Sequence, residues 1–297
     1  MKKVLLFTQW FDPEPTFKGI VFAKELIKQG FEVEVLTGIP NYPTGVVYPG
    51  YKNKLFQVEY MDGVKVTRVM LYPNHDSSAL KRVLNYISFF FSSLVYLLFS
   101  RVKVDVVYAY HPPLTIGLAA IIFKKIKRVP VVYDIQDMWP DTLSATGMIN
   151  SKYLLSFIGF VAKIIYWQVD ILTVLSPGFK KILIERKVAE GKIHVIENWC
   201  DEESINTSRI EQLELPGENS FKLLFAGNIG KAQGLETFLN AISYFKNRID
   251  LIILGDGVEK KNLVAKKESE QLSNVYFINA VPMSKVASYF RSATALL

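Results

Sequence analysis

The sequence predicts an α/β protein made of two doubly wound parallel sheets. Short runs rich in Val, Ile and Tyr alternate with amphipathic stretches, the pattern of repeated βαβ units. That alternation stops at a polar, acidic stretch over 198–220 and restarts at Phe221. A chain of 297 residues, half of them hydrophobic, also exceeds what one compact core serves. We therefore expect a first domain over 1–199 and a second over 200–297.

The opening run "KVLLFTQ" reads as strand one. Its apolar part, Val4 to Phe7, is too short for the core of a signal peptide, so a cytoplasmic protein is expected. A helix over Lys18 to Gln29 follows, stopped by Gly30 where a left-handed cap is wanted. After "FEVEVLT", the pair Asp62-Gly63 between two alternating runs predicts a hairpin turn. "VDVVYAY", "PVVYDIQD", "DILTVLS" and "KIHVIEN" continue the first sheet, and "FKLLFAG", "IDLIILGDG", "NVYFINA" and "ATALL" form the second.

Two segments are unusually apolar, Val83 to Ser100 and Tyr153 to Trp167. The first approaches the roughly 20 residues of a bilayer span, interrupted by Asn85 and four serines. A span, a core helix beside a parallel sheet, and a surface helix whose flanking Lys81, Arg82, Arg101 and Lys103 meet anionic headgroups all fit that composition.

Charge is uneven. Residues 1–200 carry 24 Lys and Arg against 16 Asp and Glu, whereas 201–297 carry 11 against 12. The first domain wants an anionic partner or surface, but its cations are spread singly, which argues against nucleic acid. The single cysteine, Cys200, excludes an internal disulfide and any thiol-based metal cluster.

The stretch "LLFAGNIGKAQGLETFLNA" places Gly227, Gly230 and Gly234 between a strand and a helix. The kinase-type phosphate loop fails because Leu235-Glu236 follows Gly234, and the glycine spacing does not match a dinucleotide fingerprint. What remains is the physical minimum for phosphate binding: small residues that expose backbone amides, a helix start, and the cation Lys231. Gly255-Asp256-Gly257 follows the next strand and lines the same carboxyl edge, with Asp256 alternatively a helix cap.

In the first domain, His111 directly follows a strand and precedes Pro112-Pro113. It can donate a hydrogen bond or carry charge near neutral pH. Asp134, Asp137 and Asp141 follow another strand around Trp139-Pro140, a set suited to orienting hydroxyl groups and stacking a sugar, with capping the plainer role of Asp141. Lys18-Gly19, at the first helix, is a further candidate anion site.

Together "WFDPEPTFKG", "YHPPLT", "DIQDMWPD", "VIENWCD", "AGNIGKAQGLETFLNA" and "LGDGVEKKNL" resemble, in order along the whole chain, glycosyltransferase family 4, the retaining GT-B enzymes. The closest resemblance is to bacterial L-fucosamine transferases of O-antigen and capsule assembly. It implies two Rossmann-like domains facing a cleft, the first binding a lipid-linked saccharide acceptor and the second a UDP-sugar, with no metal or other cofactor. It also implies that the Gly227 to Gly234 loop holds the donor diphosphate, that Lys18-Gly19 lie near those phosphates, and that His111 lies near the donor sugar. Asp137 would shape the acceptor side, and Asn198 matches an asparagine at the domain junction.

Asn228 and Gln233 stand where the family carries an arginine and a lysine, leaving Lys231 to stabilise the leaving diphosphate. The family's pair of glutamates would fall beyond Leu297, so a truncated second domain is expected. Two other readings are a UDP-sugar 2-epimerase, to which three histidines, one of them His75, lend little, and an inactive nucleotide-sugar-binding fragment. A peripheral contact with the cytoplasmic face of a membrane is the remaining expected partner.

Overall fold

The structure is a computed structural model, and it describes residues 1–74, 79–199 and 210–297. Cys200, His75 and the 201–209 part of the polar stretch lie outside the described residues. The chain divides into two compact units, Met1–Trp199 and Cys200–Leu297.

The first unit is built on an eight-stranded sheet. Its strands are β1 (Lys3–Thr8), β2 (Glu32–Gly38), β3 (Phe56–Met61), β4 (Val64–Val69), β5 (Val106–Tyr110), β6 (Val131–Ile135), β7 (Ile171–Val174) and β8 (Ile193–Val195). They lie in the order β3-β4-β2-β1-β5-β6-β7-β8. All neighbouring pairs are parallel except β3 with β4. That exception is the hairpin: Asp62 and Gly63 both take positive φ, 48° and 83°, which gives a two-residue turn the twist of its flanking strands.

The helices are α1 (Ile20–Lys28), α2 (Ala79–Phe99), α3 (Leu114–Lys127), α4 (Asp141–Ala145), α5 (Lys152–Gln168) and α6 (Pro177–Glu185). Gly30 ends α1 at φ 86°, with its N–H on the Ile27 carbonyl and that of Phe31 on the Leu26 carbonyl. These are the two bonds of a Schellman cap.

Alternation along the strands sends side chains to two cores. Leu5, Phe7, Val107, Tyr133 and Leu172 join Phe89 of α2, Ala120 of α3 and Ile165 of α5 in one cluster. Val4, Leu6, Val35 and Val66 meet Ala23 of α1 in the other. Helix α2 is only half a core helix. Phe89 and Leu97 are buried, while Leu84, Ile87, Phe91, Val95 and Phe99 are exposed, so the core-helix reading of this segment holds for its inner face alone.

The second unit has a parallel sheet of β9 (Phe221–Asn228), β10 (Ile249–Asp256), β11 (Val275–Ile278) and β12 (Ala295–Leu296), ordered β11-β10-β9-β12. Its helices are α7 (Leu235–Ile242), α8 (Lys260–Ser269) and α9 (Met283–Ser292). Leu239, Leu251, Ile253 and Val275 pack on one face of the sheet and Leu224, Ile252 and Leu254 on the other.

Candidate active site

In open α/β sheets, ligands bind beyond the carboxyl ends of the strands, and in each unit that edge gathers the candidate residues.

In the second unit, β9 ends at Asn228 and the chain turns through Ile229 and Gly230 into one short turn of tight helix, Lys231–Gln233. Gly234, at φ 60° and ψ 29°, then starts α7. The loop is pinned from beneath: the Ile229 N–H donates to the Asp256 carbonyl at 2.8 Å, and the Ile229 carbonyl accepts from the Glu259 N–H at 3.0 Å. A Cβ on Gly230 would lie within 3 Å of both the Asn228 Nδ2 and the Gln233 Oε1, so these two neutral amides flank the loop. Lys231 is exposed and makes no ion pair among the described residues.

Gly255 and Gly257 are small for a backbone reason. A Cβ on Gly255 would sit 1.9 Å from the Gly227 carbonyl oxygen, and one on Gly257 would sit 2.3 Å from that of Ile229. The two glycine loops are thus one packed unit. Asp256 does not cap α8. Its Oδ1 accepts from the Gly257 N–H at 2.8 Å, and α8 has no side-chain cap, because the chain makes a further turn before the helix begins. Lys260 instead ties the Gly255 carbonyl to Asn279 Oδ1, at 3.0 and 2.8 Å.

The first unit corrects two expectations. His111 is 1% exposed, and its ring packs edge-on against Tyr133 and Trp139, with centroids 5.9 and 5.2 Å away. Burial pushes its pKa down to about 3, so it is neutral at pH 7 rather than a charge carrier. Its Nδ1 has no hydrogen-bond partner among the described residues.

Lys18-Gly19 is not an open anion site. The Asp12 carboxylate fills the start of α1, accepting from the Ile20 N–H at 2.6 Å and leaving no room for a Cβ on Gly19. Lys18 is buried, 3.9 Å from Asp134 and over the Phe22 ring. Asp134 in turn accepts from the Tyr108 and Thr173 hydroxyls, both at 2.8 Å. Burial raises its pKa, and Lys18 opposes that rise.

Trp139, expected to stack on a sugar, is partly exposed, and its ring leans on His111 and Tyr86. Asp137 is half-buried with its pKa raised by burial. Asp141 opens α4 and pairs with Arg186. Asn198 is exposed, next to the end of the unit.

Several residues at this edge were missed from sequence. Glu14 is 2% exposed and accepts from the backbone N–H groups of Phe11, Asn41 and Tyr42 at 3.2, 2.7 and 2.8 Å. Burial outweighs those bonds and lifts its pKa to about 7. Arg68 is fully buried, donating to Glu59, to the Gly38 carbonyl at 3.2 Å and to the Asp12 carbonyl. Asn85, the polar residue inside the apolar α2, is also buried. It accepts from Gln9 and donates to Asn41 and, at 2.8 Å, to the Tyr72 carbonyl. Aromatic contacts run from Tyr42 through Trp10, Tyr86 and Trp139 to His111. A lone carboxylate in the proline-flanked "DPEP" loop and a lone asparagine in an apolar helix were the available signals.

Among the described residues, no group of three or more His, Cys, Asp or Glu is placed to hold a metal ion.

Two Rossmann-like units whose strand-end loops carry these residues define the class, and the comparisons name it. The chain belongs to the glycosyl transferase 4-like family, whose domain matches residues 22–199. Residues 207–297 match the domain described as glycosyl transferases group 1. A relative in Escherichia coli (strain K12), named for colanic acid biosynthesis glycosyl transfer and called WcaI, is 27% identical over 293 residues, 93% of this chain and 71% of its own.

Among solved structures, sucrose-phosphate synthase from Thermosynechococcus elongatus aligns with a TM-score of 0.68 at 13% identity, over 100% of this chain and 75% of its own. Anabaena HepE in complex with UDP-glucose aligns at 0.63 and 14%, over 100% and 73%. A UDP-N-acetylglucosamine 2-epimerase aligns at 0.54 and 12%, over 99% and 73%. At these identities the likenesses define the fold, GT-B, and not the reaction.

Proposed function

We propose that this chain is a retaining glycosyltransferase that moves a sugar from a UDP-sugar to a lipid-linked saccharide during surface polysaccharide assembly. The observation that carries this reading is the loop between β9 and α7. Gly234 leaves its backbone open, the start of α7 supplies the positive end of a helix dipole, and Lys231 is an exposed cation. These groups hold the diphosphate and stabilise the charge that develops as it leaves. Asn228 and Gln233 contribute neutral hydrogen bonds where the family resemblance implies charges.

On the first unit, the family resemblance puts neutral His111 near the donor sugar as a hydrogen-bonding group, with its Nδ1 buried and unpartnered among the described residues. Asp137, with its proton affinity raised by burial, shapes the acceptor side. The family match and the colanic acid relative support a polysaccharide acceptor. The resemblance to L-fucosamine transferases puts UDP-N-acetyl-L-fucosamine first among donors to test, and no metal is part of this reading. The reaction takes place in the cytoplasm, at the inner membrane face where lipid-linked saccharides are built.

The test is product analysis with a panel of UDP-sugars, with and without a lipid-linked acceptor. Transfer that needs the acceptor supports the proposal. A changed sugar with no acceptor present would establish the epimerase, whose fold this chain shares.

A further inference from the structure

We propose that the outer surface of α2, α3 and α5 docks on an anionic lipid bilayer. The observations behind this surface are separate from those behind sugar transfer. On α2 the exposed residues Leu84, Ile87, Phe91, Val95 and Phe99 recur every three or four positions, placing them on one side of a helix about 30 Å long. Phe91 is 59% exposed and Phe99 83%. On α5, Tyr153, Phe157, Phe160 and Trp167 are exposed at the same kind of spacing. Helix α3 packs against both α2 and α5, so the two stripes belong to one layer. A groove of about 400 Å³ between Phe56, Phe91, Val95 and Phe99 extends the patch toward β3. Apolar surface of this extent marks an interaction site.

Charge selects the partner. Residues 77–104, 106–133 and 142–169, which include these three helices, hold ten Lys and Arg and no Asp or Glu. Among the described residues, the acids at their borders are engaged. Asp105 accepts from the Lys3 N–H, Asp141 pairs with Arg186, and Asp170 pairs with Lys124. A surface that combines exposed aromatic and aliphatic side chains with an excess of cations over acids fits a negatively charged headgroup plane. It does not fit a second copy of itself, which would set like charges against one another.

Helix α2 is long and apolar enough by composition to cross a bilayer, but it lies on the surface instead. Asn85 and Ser93 face inward and are fully buried, and Asn85 is bonded to strand-end residues of the sheet. Inserting α2 would strip those bonds in hydrocarbon. Its outer side therefore meets lipid while its inner side supports the strand-end loops.

Flotation of the 297-residue protein with vesicles free of saccharide lipids tests this apart from any transferase activity. Binding to phosphatidylcholine vesicles containing phosphatidylglycerol is expected, falling as NaCl rises from about 50 to 500 mM, with little binding to phosphatidylcholine alone. Two variants separate the contributions. Phe91→Ser with Phe157→Ser, both exposed, and Arg101→Glu with Lys103→Glu should each weaken binding about tenfold or more while leaving the melting temperature unchanged. Equal binding to both vesicle types, or binding to neither, would overturn the proposal. So would a dimer in solution that the Phe91 and Phe157 changes disperse.

Discussion

Glu14 and Lys231 sit at opposite extremes of exposure, and each makes a different prediction. Three backbone amides hold the Glu14 carboxylate, yet the loss of water around it raises its pKa to about 7 from the usual 4.5. The folded protein therefore binds the Glu14 proton more tightly than the unfolded chain does. The stabilisation this gives is complete below about pH 4.5 and is lost as the pH rises through about 7. Comparing Glu14→Gln with the parent cancels the other titrating groups. The variant should gain about 2 kcal/mol relative to the parent between pH 5 and pH 8, read from urea unfolding at each pH. A difference that does not change with pH would mean that Glu14 is charged throughout. Lys231, exposed beside three glycines, should matter only when an anion is present. Lys231→Ala is expected to weaken UDP binding about tenfold by calorimetry, with no change in melting temperature. If the variant binds UDP as tightly as the parent, the diphosphate lies elsewhere.

The β9 loop and the loop after β10 are one packed element, because Gly255 lies against the Gly227 carbonyl and Gly257 against that of Ile229. Gly255→Ala places a methyl 1.9 Å from the Gly227 oxygen and should cost about 1–3 kcal/mol. If the β9 loop holds the diphosphate as proposed, the substitution should also weaken UDP binding, since it pushes that loop out of shape. A variant of unchanged stability and unchanged affinity would show that the two loops move independently. Helix α2 offers the converse case. Phe89→Ala empties a filled place in the larger core and should cost about 3–5 kcal/mol, whereas Phe91→Ser, two residues on and facing outward, should stay within about 0.5 kcal/mol. Equal costs in urea unfolding would place both phenylalanines in the core.

At the scale of the whole molecule, each unit has its own hydrophobic clusters, the requirement for independent cooperative unfolding. Two transitions are expected on denaturation. UDP at a hundred times its dissociation constant should stabilise the second unit by about 2.7 kcal/mol and leave the first unchanged, followed through the tryptophans of the first unit and hydrogen exchange in β9 and β10. Movement of the first unit's transition instead would reassign the donor site.

The order of strands and helices, the Gly30 cap, the Asp62-Gly63 hairpin and the glycine-bearing turn between β9 and α7 could all be read from sequence, because each rests on local backbone chemistry and on residues close together in the chain. What the sequence determined, then, was the elements and the loops that join them. The states of the side chains at the carboxyl edge were decided by tertiary structure. His111 is neutral because Tyr133 and Trp139 enclose it. Lys18 faces Asp134 rather than a phosphate, and Asn85 belongs to the strand-end network rather than to a membrane span. Burial and partners come from residues up to 116 positions apart, as Lys18 and Asp134 show. Burial and neighbouring charge set protonation and pairing, and neither exists until the sheet has assembled.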